Sequence, residues 1–577
     1  MKRNAFKLAM ACIALVVIML AIPACRTEEE VPVAPATPVP ATPAPEATAP
    51  PDAPEPDSGI PAFMNPIGDL PIVNEPVTLS VFTGNLSGHD YTTNLATGWF
   101  EERTGVLVDW VQVPDVDRET RLNLMLATGD VPDIIVGGAG GHARVFFYAQ
   151  LGLFVPISDY INDFAPELQR LFATHPNIHD DMIMPDGKIY AFPAVDDCFH
   201  CTMGEKLWIY TPWLENLGLE MPRTIEEFYD VLVAFRDGDP NGDGGEVIPF
   251  MGANGARNRP EILISSWIPN NQGNRIIVEN GVVTPVFNTP EWRDGLRFMR
   301  RLVDEDLLAS ESFVQDRASL QHFGNNPDVN IVGVAPALWI SNFVVFNVAE
   351  QDGRWNNWRM IPPLVGPDGF VTATYSPLRG NNIAVITSTL PEELMPVAVR
   401  WLDNFLTQES SLIAIQGYPD ILWRYSDPGE VGIHGGPALW ERIVPPEPVE
   451  NVRMHQIMPN WRSHDFRLSE RANRTIVEQE TLLFDMSMIQ LPYRQPIEQV
   501  LPILIFDEAQ TAEMVDLEVT INTFVIENIA RFSVGDICIE DDWDWYVREL
   551  EVMGLNRMIE ILQTAFDERQ ARIAAAS

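Results

Sequence analysis

Cysteine is the scarcest chemistry in this chain. Five occur among 577 residues, and two of them, Cys12 and Cys25, fall in the first 25 positions. Only Cys198, Cys201 and Cys538 remain for the body, which excludes a small disulfide-framed scaffold. "CFHC" has Cys-x-x-Cys spacing with His200 inside it, but no second ligand pair completes a zinc site. The spacing leaves a local disulfide or two separate thiols. Lysine is nearly as rare: Lys2, Lys7, Lys188 and Lys206 are all there are. With 81 acids against 38 Lys and Arg, the formal charge is −43. That excludes nucleic acid and anionic membrane surfaces as partners. Catalytic signatures are missing too: no Gly-x-Ser-x-Gly, no His-Glu-x-x-His and no phosphate-binding loop. The abundance of acids leaves a glycosidase carboxylate pair open.

The amino terminus is informative. Lys2, Arg3 and Lys7 precede the apolar run "LAMACIALVVIMLAIPAC". A basic start, an apolar stretch and small residues at its end make residues 1–24 a secretory signal rather than a fold element. "IPAC" places Cys25 where a lipoprotein signal has its lipidated cysteine. The other reading is an uncleaved anchor helix, and about 18 apolar residues is marginal for a span. Both readings put the body outside the cytoplasm and tethered to a membrane. Residues 25–75, rich in Pro and Ala with scattered acids, have too little apolar surface to fold and read as a disordered spacer. Folded structure is expected to begin near Val77.

From there, strands and helices alternate. "VTLSVFTG", "VLVDWVQV" and "PDIIVGG" read as buried strands. "TNLATGWFEERTG", "RETRLNLMLATGD" and "HARVFFYAQLG" read as the helices between and after them. The alternation predicts parallel βαβ units and an α/β fold. Ligands of such sheets bind beyond the carboxyl ends of the strands. Those ends are Thr83–Gly88, Gly137–Arg144 and the loop after "IYAFPA". Gly138, Gly140 and Ala143 fit a loose dinucleotide fingerprint, but they follow a third strand rather than a first. They are better read as a tight turn or a close backbone approach.

Thr224 with Glu227 forms a capping box at a helix start. The loop after that helix, "DGDPNGDGGEVIPF", alternates Asp237, Asp239, Asn241 and Asp243. Such a loop is a calcium site or an ordinary polar turn. Phe250 stands where an EF-hand needs its last Glu, which excludes a calcium sensor.

Several blocks follow one another in a specific order: "GWFEERTGVLVDW", "LNLMLATGDVPDIIVGG", "YAQLGLFVPISDYI", "MPDGKIYAFPA", "LWIYTPWLENLGLEMPRTIEEFYDVLVAF", "GVAPALWIS" and "RWLDNFLTQES". With the helical tail, this series resembles the extracellular solute-binding proteins of family 1. These are the lipoprotein receptors of ABC sugar importers, and the likeness is to their LplA-like and alginate-binding branch. It covers about residues 77–570.

The resemblance implies a two-lobe, type II binding-protein fold with extra C-terminal helices. Lobe 1 is expected over residues 76–195 and 378–440, lobe 2 over 196–377, and residues 441–577 are expected to pack across both. It also implies capture of an oligosaccharide in the cleft, hinge closure and delivery to an ABC permease, with no chemistry on the ligand.

Residue by residue, Trp339 matches a sugar-stacking Trp, with Trp267 a second candidate. Asp196 and Asp197 match a crossover carboxylate. Arg144 remains from a charged pair whose acid is Ala143 here. Asn85, Arg379 and Tyr375 are further cleft candidates. The calcium loop of the alginate-binding relatives maps onto Asp239, Asn241, Asp243, the carbonyl of Gly245 and Glu246, implying a structural calcium ion. The acidity of the chain, with no obvious cluster of arginines, favours a neutral oligosaccharide and a monomeric receptor. The alternatives are a secreted polysaccharide-degrading hydrolase and an anchored sensory or adhesive module.

Overall fold

Strands buried on both faces need helices on both sides, and the chain supplies them in turn. The computed structural model describes residues 60–576 apart from 256, 348–349, 446–448 and 474–477. Cys25, the signal segment and most of the spacer lie outside the described residues.

The first lobe is built on six strands. Their spatial order is Asn460–Arg462, Ala191–Asp196, Asn381–Ile386, Ile134–Ile135, Val77–Asn85 and Val106–Pro114. Val77–Asn85 runs parallel to both its neighbours. Leu79, Val81 and Phe82 are fully buried on it, because helices cover both faces. Asn381–Ile386 returns from the second lobe and inserts antiparallel between Ile134–Ile135 and Ala191–Asp196. This gives the expected type II arrangement.

The helix Leu95–Thr104 shows how local signals set boundaries. Asn94 caps it through its side-chain oxygen, and Gly105 ends it at φ 73. The second lobe carries four strands in the order Trp358–Ile361, Leu207–Tyr210, Val332–Pro336 and Ile248–Phe250. The chain crosses between the lobes at residues 197–206 and 362–380, and again between Arg462 and Gln479.

Two expectations change. Ordered packing begins before Val77: Met64, Ile72 and Val73 are buried in the first core. Arg400 donates to the carbonyls of Pro66 and Asp69, both at 3.0 Å. Three apolar side chains suffice to dock this part of a Pro-rich stretch. The first-lobe core also continues past residue 440, to Trp461 and Phe466.

The helices Glu508–Val534, Ile539–Val552 and Leu555–Ala576 are built mainly on the second lobe. Val525, Phe532, Tyr546 and Leu550 pack there with Trp292 and Met299. They also meet the first lobe, at the helix His142–Gln150 and through Arg569 to Asp181.

Candidate functional site

The carboxyl ends of the first-lobe strands point toward the second lobe. After Ile134–Ile135, Gly137, Gly138 and Gly140 take φ of 80, 102 and 111. Only glycine adopts such angles freely. Arg118 Nη1 donates to the carbonyls of Gly137 and Gly138 at 2.6 and 3.0 Å, which fixes the turn. The helix His142–Gln150 follows.

Opposite it stand the first turns of Glu508–Val534. That helix is opened by a capping box in which Asp507 accepts from Gln510 N and Gln510 reaches back to Asp507 N. Between the two helices lies a groove of about 920 Å³. Phe147, Tyr148 and Phe506 give it apolar faces, while Asn123, Asp507 and Asp516 give it polar edges. Phe147 and Val515 remain 42% and 56% exposed. Clustered apolar surface left in water in this way marks a binding site. Arg144 lines the groove too. It pairs with Glu119, donates to Asn123 Oδ1 at 2.9 Å and lies 5.9 Å from the Tyr148 ring centroid.

Of the residues singled out in sequence, only Arg144 lines this groove. Trp339 is 8% exposed and sits edge-on to Trp208 and Phe346 at 5.9 and 5.3 Å, in the core of the second lobe. Trp267 packs on Phe298 at 5.6 Å. Asn85 Nδ2 donates to the His89 carbonyl at 3.0 Å. Asp196 is held by Arg462 and Arg467, and Arg467 also pairs with Glu480 at 3.0 Å. Asp197 accepts from His464 N at 3.0 Å. Tyr375 lies under the Arg494 guanidinium at 4.8 Å. Arg379 donates to the Leu501 carbonyl at 2.8 Å and lies 3.5 Å from Asp181. Asp196, Asp197, Tyr375 and Arg379 thus belong to or border the crossing segments, where they tie chain to chain.

Of the missed groove residues, Phe147 and Tyr148 lie one turn beyond Arg144, while Phe506, Asp507 and Asp516 come from far along the chain. The one local signal for them was the Asp507–Gln510 capping box, which marks where a helix starts but not what it faces.

Cys198 and Cys201 form a disulfide, so neither offers a thiolate to a metal beside His200.

The candidate calcium loop does not fit a closed shell of oxygen ligands. Asn241 turns inward: its Oδ1 accepts from the buried Trp213 Nε1 at 2.8 Å and its Nδ2 donates to the Asn330 carbonyl at 2.9 Å. Reversing the amide breaks both bonds, so its oxygen is fixed away from the loop. Asp239 accepts from Asp243 N and Gly244 N at 3.2 and 3.1 Å, and Asp243 accepts from Gly245 N at 2.8 Å. Asn241 is thereby withdrawn from the candidate set of Asp239, Asn241, Asp243, the Gly245 carbonyl and Glu246. Calcium wants 6–8 oxygens.

Residues 85–313 match the family model of the bacterial extracellular solute-binding protein. Over 526 residues the chain is 25% identical to the fructooligosaccharide ABC transporter substrate-binding protein FusA of Streptococcus pneumoniae, covering 86% of this chain and 92% of that one. It is 27% identical over 274 residues to the polygalacturonan/rhamnogalacturonan-binding protein YtcQ of Bacillus subtilis, 45% of this chain and 52% of that one. Among solved structures, FusA with kestose superposes with a TM-score of 0.65 at 23% identity over 86% of this chain and 99% of that one. The alginate-binding protein AlgQ2, solved without calcium ion, gives 0.57 at 22% over 86% and 99%. Residues 85–313 thus match the bacterial extracellular solute-binding protein family, and the two-lobed fold is shared with FusA.

Proposed function

We propose that this protein is an extracytoplasmic receptor, anchored through Cys25, that captures a neutral oligosaccharide and delivers it to an ABC permease. The observation that carries the reading is the groove beside Tyr148. Sugars present apolar C–H faces and hydroxyl edges, and aromatic rings beside amides and carboxylates answer both. Arg144 is the one cation lining the groove and is already paired with Glu119, whereas Asp507 and Asp516 face the same space. A polyanion is repelled there, and a neutral glycan is not. Closure of the lobes over the sugar, as a monomer, presents the form a permease reads.

Isothermal titration with neutral oligosaccharides is expected to give saturable binding, and small-angle scattering a more compact complex. Tyr148→Ala is expected to weaken binding roughly tenfold or more, through lost apolar contact. Release of reducing ends from a bound glycan points to a hydrolase and sinks this reading.

The loop around Asp239 is expected to keep its shape by hydrogen bonds, without an ion. EDTA then leaves the melting temperature unchanged in differential scanning fluorimetry. Asn241→Ala strands the Trp213 indole N–H and costs about 1–3 kcal/mol. A fall in melting temperature with EDTA, reversed by calcium, shows a bound ion instead.

A further inference from the structure

A second cavity, of about 290 Å³, lies at the edge of the first-lobe sheet beside a crossing segment, and it gathers arginines that are dispersed in sequence. Arg442, Arg453, Arg462 and Arg467 all line it. Arg442 pairs with Glu470 at 3.2 Å, Arg467 bridges Asp196 and Glu480 at 2.6 and 3.0 Å, and Arg462 shares Asp196. Four guanidinium groups thus meet three carboxylates.

The surplus charge has identifiable holders. Arg462 Nε is buried with no acceptor. Among the described residues no hydrogen bond or ion pair engages the Arg453 guanidinium. His455 beside it adds no further positive charge, because burial and Arg453 push its pKa down to about 4. A net positive cavity in a chain of formal charge −43 runs against the protein's overall field.

The rest of the lining is sugar-like in its chemistry. Glu470, Glu480, Gln416 and Gln456 offer acceptors and amides to hydroxyl groups. Trp440 and Phe466, stacked with ring centroids 6.1 Å apart, close the apolar side. The volume falls at the bottom of the ordinary ligand-pocket range, so it suits one ring rather than a chain. We propose that this cavity binds a monosaccharide-sized sugar acid, with its carboxylate on Arg453 and Arg462 and its hydroxyls on the glutamates and glutamines. The site stands apart from the groove and does not rest on the receptor reading.

The test is titration of the purified protein with galacturonate, galactose and inorganic phosphate. Saturable galacturonate binding is expected, at least tenfold tighter than either of the others. Arg453→Gln is expected to weaken it roughly 10- to 100-fold, the loss of a charge-assisted bond. Arg453→Lys retains the charge but not the fork, and falls between the two. Tyr148→Ala in the groove leaves galacturonate affinity unchanged, and a groove-bound neutral oligosaccharide does not displace the acid. Any of four results overturns the proposal: no saturable galacturonate binding, equal binding of galactose, equal binding of phosphate, or competition with the neutral oligosaccharide. Circular dichroism of the Arg453 variants confirms that each one compared is folded.

Discussion

Replacing Asp181 with alanine is expected to cost about 3–5 kcal/mol of stability, because it strands two arginines at the junction of the lobes. Asp181 lies on the first-lobe helix Pro176–Met182 and is fully buried. Its Oδ1 accepts from Arg569 Nη2 at 2.8 Å, and Oδ2 lies 3.5 Å from Arg379 Nη1. Arg569 belongs to Leu555–Ala576, which packs on the second lobe, and Arg379 to a crossing segment. Burial pulls the Asp181 carboxyl up, while both guanidiniums pull it down. Asp180 and Glu498 line the same cavity, but the ion pairs of both arginines there are with Asp181. His142, beside both arginines, is held neutral, its pKa pushed to about 4 by burial and by the two cations. Urea denaturation at neutral pH measures the loss. The control is Asp181→Leu with Arg569→Met, which removes both charges and is expected to recover much of the stability. A single-variant loss below about 1 kcal/mol would place the pair at the worth of a solvent-exposed bridge.

How far the sequence revealed this architecture depends on the range of the signal. Strand positions were legible because an apolar run such as "VTLSVF" between polar turns has few other uses. The Thr224–Glu227 capping box forms as read, with Glu227 N donating to Thr224 Oγ1 at 3.1 Å. Arg144 was singled out because its block resembles one that presents a charged pair at a helix start, and it lines the groove. The opposite wall of the groove was not, because Phe506 and Asp507 come more than three hundred residues later.

The same limit explains the other misses. Asn241 has the composition of a ligand, but its direction is set by Trp213, 28 residues away. Trp339 lies three residues beyond the strand Val332–Pro336, and Trp208 and Phe346 take up its ring. Arg442, Arg453, Arg462 and Arg467 read as scattered charges until one strand pairing and one helix bring them around a single cavity.

The contribution of Glu205 to stability is expected to fall as pH rises from about 5 to 8, and Glu205→Gln is expected to remove that fall. Glu205 closes the crossing segment 197–206. Burial pushes its pKa up from 4.5 to about 8, against a single backbone bond from Gln272 N at 3.1 Å. Its second oxygen has no partner. Between those two values the folded protein keeps a proton that the unfolded chain releases. Rising pH therefore favours the unfolded state, by a total on the order of 4 kcal/mol. Lys206 acts in the opposite sense and in a different window. Burial lowers its pKa from 10.5 to about 7, so the unfolded chain holds the extra proton above pH 7 and stability is regained as pH rises further. Asp403, pushed up to about 7 by burial, has the same sign as Glu205. The informative quantity is therefore the difference between Glu205→Gln and the parent, read from urea midpoints at pH 5 and pH 8. The two proteins should match at pH 5, and the variant should be the more stable at pH 8. Parallel profiles would mean that water reaches Glu205 and that its charge is already accommodated. Profiles that coincide at pH 5 and part by pH 8 would mean that the segment joining the lobes holds a carboxyl group that must stay neutral for the joint to stay packed.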